Sequence, residues 1–153
     1  MGKIMTILLT LALIGCTTSD PYGNFITSVN VDQQKLLTRE SLTRELAGDA
    51  VKRLMELYPP AQTQLELKQV PSDAFGVALV KIIREEGYAL REFKEKEGQL
   101  STSPALSLRY VLDQAGEANL YFLTVFVGEK SITRPYRVHK DSLDPAGWWV
   151  VKE

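Results

Sequence analysis

The chain holds one cysteine and one histidine in 153 residues, and these two scarcities remove more chemistry than any motif adds. A single cysteine forbids an internal disulfide. Cys16 and His139 alone do not make the Cys/His sets that hold zinc, so no metal site is expected. An excess of one charge is missing too. The 18 Lys and Arg stand against 19 Asp and Glu, a net charge of −1, which leaves no electrostatic footprint for nucleic acid. The catalytic signatures are absent: there is no Gly-x-Ser-x-Gly, P-loop, Gly-x-Gly-x-x-Gly or His-Glu-x-x-His. Cys16 and His139 are the one thiol nucleophile pair the composition allows, and Cys16 lies at the end of an apolar segment, a poor place for catalysis. His139, beside Lys140 and Asp141, reads as a surface residue at a strand end. Glu85 and Glu86 occupy adjacent helix positions and point in different directions, so they read as a solvated face and not as an acid/base dyad. No catalytic residue, cofactor or small-molecule substrate is expected.

Long apolar runs are also lacking. The stretch Ile4–Ile14, broken by Thr6 and Thr10, covers roughly 17 Å as a helix against a hydrocarbon core of about 30 Å. It follows Lys3 and runs into Gly15 and Cys16, the three-part layout of a secretory signal ending in a cysteine. The pattern Leu13-Ile14-Gly15-Cys16 resembles a bacterial lipobox. That resemblance implies cleavage between Gly15 and Cys16, a diacylglycerol thioether on the Cys16 sulfur, and acylation of the new amino end with a chain such as palmitate. One acyl chain binds a membrane marginally and two or more bind stably, at about 0.8 kcal/mol per buried CH₂. Thr17 and not Asp follows Cys16, which resembles the pattern of lipoproteins released to the outer membrane, facing the periplasm.

The expected organisation is a signal segment over 1–15, a flexible tether over 16–37 and one α+β domain over 38–153. The tether reading rests on the turn-rich start Thr17–Asn24 and on the lack of a clear period through Lys35, although Phe25, Ile26, Val29 and Val31 suit a short docked strand. Leu42, Leu46, Ala50, Leu54 and Leu57 recur at three and four residues and predict a helix over Leu37–Tyr58, ended by Pro59-Pro60. Thr63–Val70 reads as a strand. A second helix follows, with Ser72 as N-cap, Phe75, Leu79, Ile82 and Ile83 as its core face, and Gly87 as its C′ residue. Tyr88–Phe93 reads as a short strand and 94–104 as a solvated loop. The period then changes to two. Leu106, Leu108, Tyr110 and Leu112 alternate with polar or smaller partners, Gln114–Asn119 turns the chain, and Leu120–Val127 is apolar on both faces, as a central strand would be. Ser131–Val138 is a third strand, in which Pro135 argues for an edge or a bulge. A loop through Asp144–Gly147 leads to a last strand, Trp148–Lys152. The predicted fold is α+β, two helices packed on one face of a mainly antiparallel sheet that ends in a β-meander.

Two clusters are candidate partner surfaces. Arg134, Tyr136, Arg137 and Lys140 combine charge with an aromatic ring, but a regular strand turns Arg137 away from Arg134 and Tyr136, so an ordinary edge strand is the favoured reading. An edge would let a partner add a strand. Trp148 and Trp149 are adjacent, so one would be core while the other faces solvent or a partner; packing of both into core or loop is the plainer alternative.

Taken together, the pieces Tyr22–Phe25, Asp49–Ala61, Asp73–Val80, Gly87–Ala89, Leu120-Tyr121, Leu123–Gly128, Thr133–Tyr136 and Pro145–Trp149 give the chain a specific order and spacing. In these it resembles the TrbH family of conjugal transfer lipoproteins over nearly its whole length. The resemblance implies a component of a type IV secretion system that forms mating pairs and moves plasmid DNA, touching other subunits in the envelope and held to the membrane through acylated Cys16. It carries over no catalytic residue, and only Cys16 meets a position of defined chemical role. Another accessory lipoprotein, such as a pilotin or a transporter auxiliary subunit, would share the lipobox and a small α+β domain. A lipid-anchored hydrolase would need a nucleophile–base pair that the sequence does not display.

Overall fold

A computed structural model describes residues 40–93, 104–116, 119–140 and 142–153. The signal segment, Cys16, the tether and nearly all of the 94–104 loop lie outside the described residues.

Helix α1 (Glu40–Leu57) buries Leu42, Leu46, Ala47, Ala50, Val51 and Leu54 on one stripe, as the spacing predicts. Thr43 shares that face, with its hydroxyl donating to the Glu40 carbonyl at 3.1 Å. Pro59-Pro60 stops the helix and a single 3₁₀ turn, Pro60–Gln62, leads into strand β1 (Gln64–Leu67). Strand β1 is shorter than the expected Thr63–Val70. The Lys68 N–H still reaches the Leu108 carbonyl, but the next residue pairs through its side chain, with Gln69 Oε1 accepting from the Tyr110 N–H at 2.8 Å.

Helix α2 (Ala74–Glu85) buries Phe75, Gly76, Leu79, Val80 and Ile83. Its N-cap is Asp73 and not Ser72: Asp73 Oδ1 accepts the Gly76 N–H at 2.8 Å. The carboxylate competes better than a hydroxyl for an unpaired donor at the positive end of the helix. At the other end Gly87 takes φ +86°, where its N–H donates to the Arg84 carbonyl and the Tyr88 N–H to the Ile83 carbonyl. This is a Schellman closure, which needs a residue without a Cβ.

The remaining elements are strands β2 (Ala89–Arg91), β3 (Leu106–Gln114), β4 (Leu120–Val127), β5 (Lys130–His139), β6 (Ser142–Pro145) and β7 (Val150–Lys152). The seven strands form one sheet in the order β2-β1-β3-β4-β5-β6, with β7 also paired to β5. Strand β1 runs parallel to both β2 and β3, and every other pairing is antiparallel. The fold is therefore the expected α+β arrangement, with β3 to β5 as its meander.

The sheet corrects the reading of the 131–138 strand as an edge. Strand β5 is internal, held by β4 along one side and by β6 and β7 along the other. Proline is tolerated because β6 pairs with Tyr136–His139 and β7 with Ser131–Thr133, leaving a gap opposite residues 134 and 135. A strand residue turns its N–H and C=O to the same side. The Pro135 carbonyl accepts the Ala146 N–H at 2.9 Å on that side, so the missing N–H falls in the gap. Asp144 and Pro145, expected to open a loop, instead end strand β6, and the last strand starts at Val150 and not at Trp148.

Both helices pack on the face that carries Leu65, Leu67, Leu108, Tyr110, Leu112, Tyr121, Leu123, Val125, Ile132 and Tyr136. Fully burying each such leucine, valine or isoleucine contributes about 1.5–3 kcal/mol before entropy is counted. The opposite face is patterned for water. There Thr124 and Thr133 bond across strands at 3.0 Å, and the Arg109 guanidinium sits 5.1 Å from the centre of the half-buried Phe126 ring. An antiparallel sheet commonly leaves one face to solvent in this way.

Candidate interaction site

Each helix is fastened to the sheet by an aspartate that accepts from a buried tyrosine. From α1, Asp49 Oδ2 accepts the Tyr136 hydroxyl at 2.5 Å and the Arg134 Nη1 at 2.9 Å. From the start of α2, Asp73 Oδ2 accepts the Tyr110 hydroxyl at 2.5 Å. Both tyrosines lie on the helix-facing side of the sheet, where a phenol satisfies the apolar layer with its ring and the aspartate with its tip. Burial, reinforced by the hydrogen bond to Asp49 and its charge, holds Tyr136 well above the ordinary tyrosine range. Burial, and then the Asp73 charge and hydrogen bond, does the same for Tyr110. Tyr88 donates to the Tyr58 carbonyl at 2.6 Å, and burial with the nearby Glu86 charge pushes it up to about 12. All three phenols are fixed donors near neutral pH and serve the packing of layers.

The Asp49 node reaches the surface through Arg134. Its Nε donates to the Gly147 carbonyl at 2.8 Å. Its guanidinium carbon also lies 5.8 Å from the ring centres of both Tyr136 and Trp149. Trp149 meets Tyr136 edge-on at 6.3 Å and packs against the core. A Cβ on Gly147 would stand 2.9 Å from Pro135 Cγ, so only glycine lets the loop lie this close to β5. The Ala146 N–H, the Gly147 carbonyl and the Trp149 ring thus hold the segment after β6 in place, and Trp148 projects from it 88 % exposed.

Between this loop and α1 runs a groove of about 330 Å³ lined by Asp49, Lys52, Arg53, Glu56, Arg134, Trp148 and Trp149. Of the six residues in the two clusters named from sequence, Arg134, Trp148 and Trp149 line it together, and Tyr136 lies beneath them. The strand alternation expected to separate the tryptophans is not what separates them, since both precede β7; after the bend at Gly147, Trp149 packs half-buried against Tyr136 while Trp148 stays outside. Arg137 faces away, as alternation predicts, and is exposed. Sequence reading missed the α1 side of the groove. Asp49, Lys52, Arg53 and Glu56 fall outside the buried stripe of α1, and nothing local announces that a loop more than about 90 residues on comes to lie beside them.

His139 is exposed, and so are Glu85 and Glu86, with Glu85 beside Lys81 at 3.9 Å. Among the described residues no group of three or more His, Cys, Asp or Glu is placed to hold a metal ion, and no helix is long and apolar enough to cross a membrane. No match to the chain is found among curated proteins or among solved structures. A family model does match. It is described as conjugal transfer protein TrbH and covers residues 19–153, the whole described fold and the segment before it. The chain therefore belongs to the TrbH family of conjugal transfer proteins.

Proposed function

We propose that the protein is a lipid-anchored envelope component of a conjugative type IV secretion system, acting in plasmid DNA transfer through protein–protein contacts and not through catalysis. The observation that carries the anchoring is Cys16. It is the sole cysteine, and it follows Gly15 at the end of an apolar stretch too short to span, in a chain whose family serves conjugal transfer. Signal cleavage before Cys16 leaves the fold behind a tether over 16–37, on the outer membrane and facing the periplasm. Acylation supplies the anchor, with no other cofactor. The non-catalytic reading draws support from the use made of the buried polar groups: Asp49, Asp73, Tyr110 and Tyr136 are engaged in joining helices to sheet.

The test compares the full chain with Cys16→Ser in cells that lack the native gene. Labelling with a palmitate analogue is expected to mark the wild type and not Cys16→Ser, with the mature mass starting at Cys16. Plasmid transfer is expected to fall sharply in the variant, and crosslinked purification of the wild type to recover other transfer subunits. An unlabelled wild type refutes the anchor. Undiminished transfer in cells without the gene refutes the role. Recovery of lipid-export or secretin subunits instead would favour the accessory-lipoprotein reading.

A further inference from the structure

We propose that the groove between α1 and the loop before β7 is the docking site for an acidic segment of a partner protein, with Trp148 as the anchor side chain. This rests on the proposed role in protein contacts and names the surface and the chemistry.

The charges in the groove are unequally satisfied. Its two carboxylates are engaged, Asp49 by Arg134 and Tyr136, and Glu56 by Arg53 at 2.7 Å. Its lysine is not. Among the described residues Lys52 is exposed and enters no ion pair. Lys52, Arg53 and Arg134 stand against Asp49 and Glu56 in the lining, three positive charges to two negative, so the groove is complementary to a ligand that brings carboxylate oxygens.

The apolar half of the site is equally specific. Among the described residues Trp148 is the most exposed of the large apolar side chains, yet it rides on a segment fixed by Pro135, Arg134 and Trp149. A tryptophan held out on a rigid support loses little freedom on binding, which is the condition that makes aromatic residues interface hot spots. The volume of about 330 Å³ is at the small end of ligand sites and suits one or two side chains of a docking segment. The ligand is therefore an extended or turn segment that lays an apolar side chain on Trp148 and an Asp or Glu toward Lys52 and Arg53.

The experiment places a photo-crosslinking amino acid at position 148 of the full-length protein in donor cells. The expected product is a crosslink to another protein, mapped to a stretch that contains Asp or Glu. That stretch, synthesised as a labelled peptide, is expected to bind the purified protein with an affinity that falls about 30-fold in Trp148→Ala and at least about 10-fold in Lys52→Glu. Changing the peptide carboxylate to lysine should restore binding to Lys52→Glu. Both positions are exposed, so both variants should melt as the wild type does. A crosslink to a second copy, to residues 17–39 of the same chain or to lipid overturns the proposal, as does no crosslink at all or an affinity insensitive to Lys52→Glu. Plasmid transfer separates the two readings. If deleting the gene abolishes transfer while Trp148→Ala and Lys52→Glu transfer normally, the groove assignment falls and the transfer role stands. If the deletion itself transfers normally, the role falls.

Discussion

Asp49→Ala is expected to destabilise the fold by about 2–5 kcal/mol, a large share of the roughly 5–15 kcal/mol that holds a domain of this kind together. Two losses add to that figure. The Tyr136 hydroxyl, on a residue only 1 % exposed, loses its acceptor, which costs about 1–3 kcal/mol. Arg134, with its side chain 17 % exposed, loses its carboxylate and keeps only the Gly147 carbonyl, which adds about 1–2 kcal/mol. Tyr136→Phe removes the donor but leaves Asp49 paired with Arg134, so its expected cost is about 1–2 kcal/mol. In the double variant no hydroxyl is left unpaired, and the total should fall short of the sum by about 1.5 kcal/mol. Urea unfolding followed by tryptophan emission reads this directly, because Trp149 lies against Tyr136, and the denaturant slope should stay constant across the cycle. An Asp49→Ala cost below about 1 kcal/mol, or additivity to within about 0.3–0.5 kcal/mol, would refute the claim that this node ties α1 to the sheet.

Three further outcomes are expected. Gly76→Ala should cost about 2–3 kcal/mol in thermal or urea unfolding, because its Cβ would stand 2.1 Å from the Tyr110 hydroxyl and 3.0 Å from Pro71 Cα; Gly48→Ala, with nothing within 4 Å, should instead stabilise by roughly 0.5–1 kcal/mol. Tyr88, Tyr110 and Tyr136 have folded-state pKa values raised above the ordinary 10.0, so their contribution is complete below pH 10 and is lost as pH rises toward the folded values; stability measured by urea at stepped pH should be flat from pH 8 to 9 and fall above pH 10 by up to about 1.4 kcal/mol per pH unit for each tyrosine still protonated in the fold. Trp148→Ala should leave the melting temperature unchanged, whereas Trp149→Ala, which uncovers Tyr136 and Arg134, should cost about 2 kcal/mol.

Most of the layer architecture was legible because periodicity reports burial. The Leu42–Leu54 stripe, the Leu106–Leu112 alternation and the Gly87 stop each reflect a local rule that the fold then obeys. What was not legible depends on partners distant in sequence. Pro135 signals an edge by itself, but whether a strand is an edge is settled by what lies beside it. Here β6 and β7 divide that side at the residue that lacks an N–H. Ser72 and Asp73 are both good N-caps by propensity, and the hydroxyl of Tyr110, 37 residues on, adds to the hold on Asp73. The groove shows the same limit. Trp148 and Trp149 stand out in any reading, while Asp49, Lys52 and Arg53 become part of a site only when β5 brings the loop against α1.

The placement of Asp49 joins stability to presentation. One carboxylate oxygen accepts from Tyr136 in the core and from Arg134, and the same guanidinium holds the carbonyl of Gly147, directly before the exposed Trp148. An arginine suits this position better than a lysine, because its planar fork donates in two directions at once while its face lies against two aromatic rings. The chain of contacts runs from α1 to Asp49, to Arg134, to Gly147 and so to Trp148, with no freely rotating side chain between. A loop anchored only by its own backbone bond to Pro135 would let Trp148 sample many positions, and each would have to be given up on binding. With the guanidinium in place that loss is incurred on folding. A charge between the layers, which a purely apolar core would avoid, therefore gives the fold a way to hold a tryptophan outward.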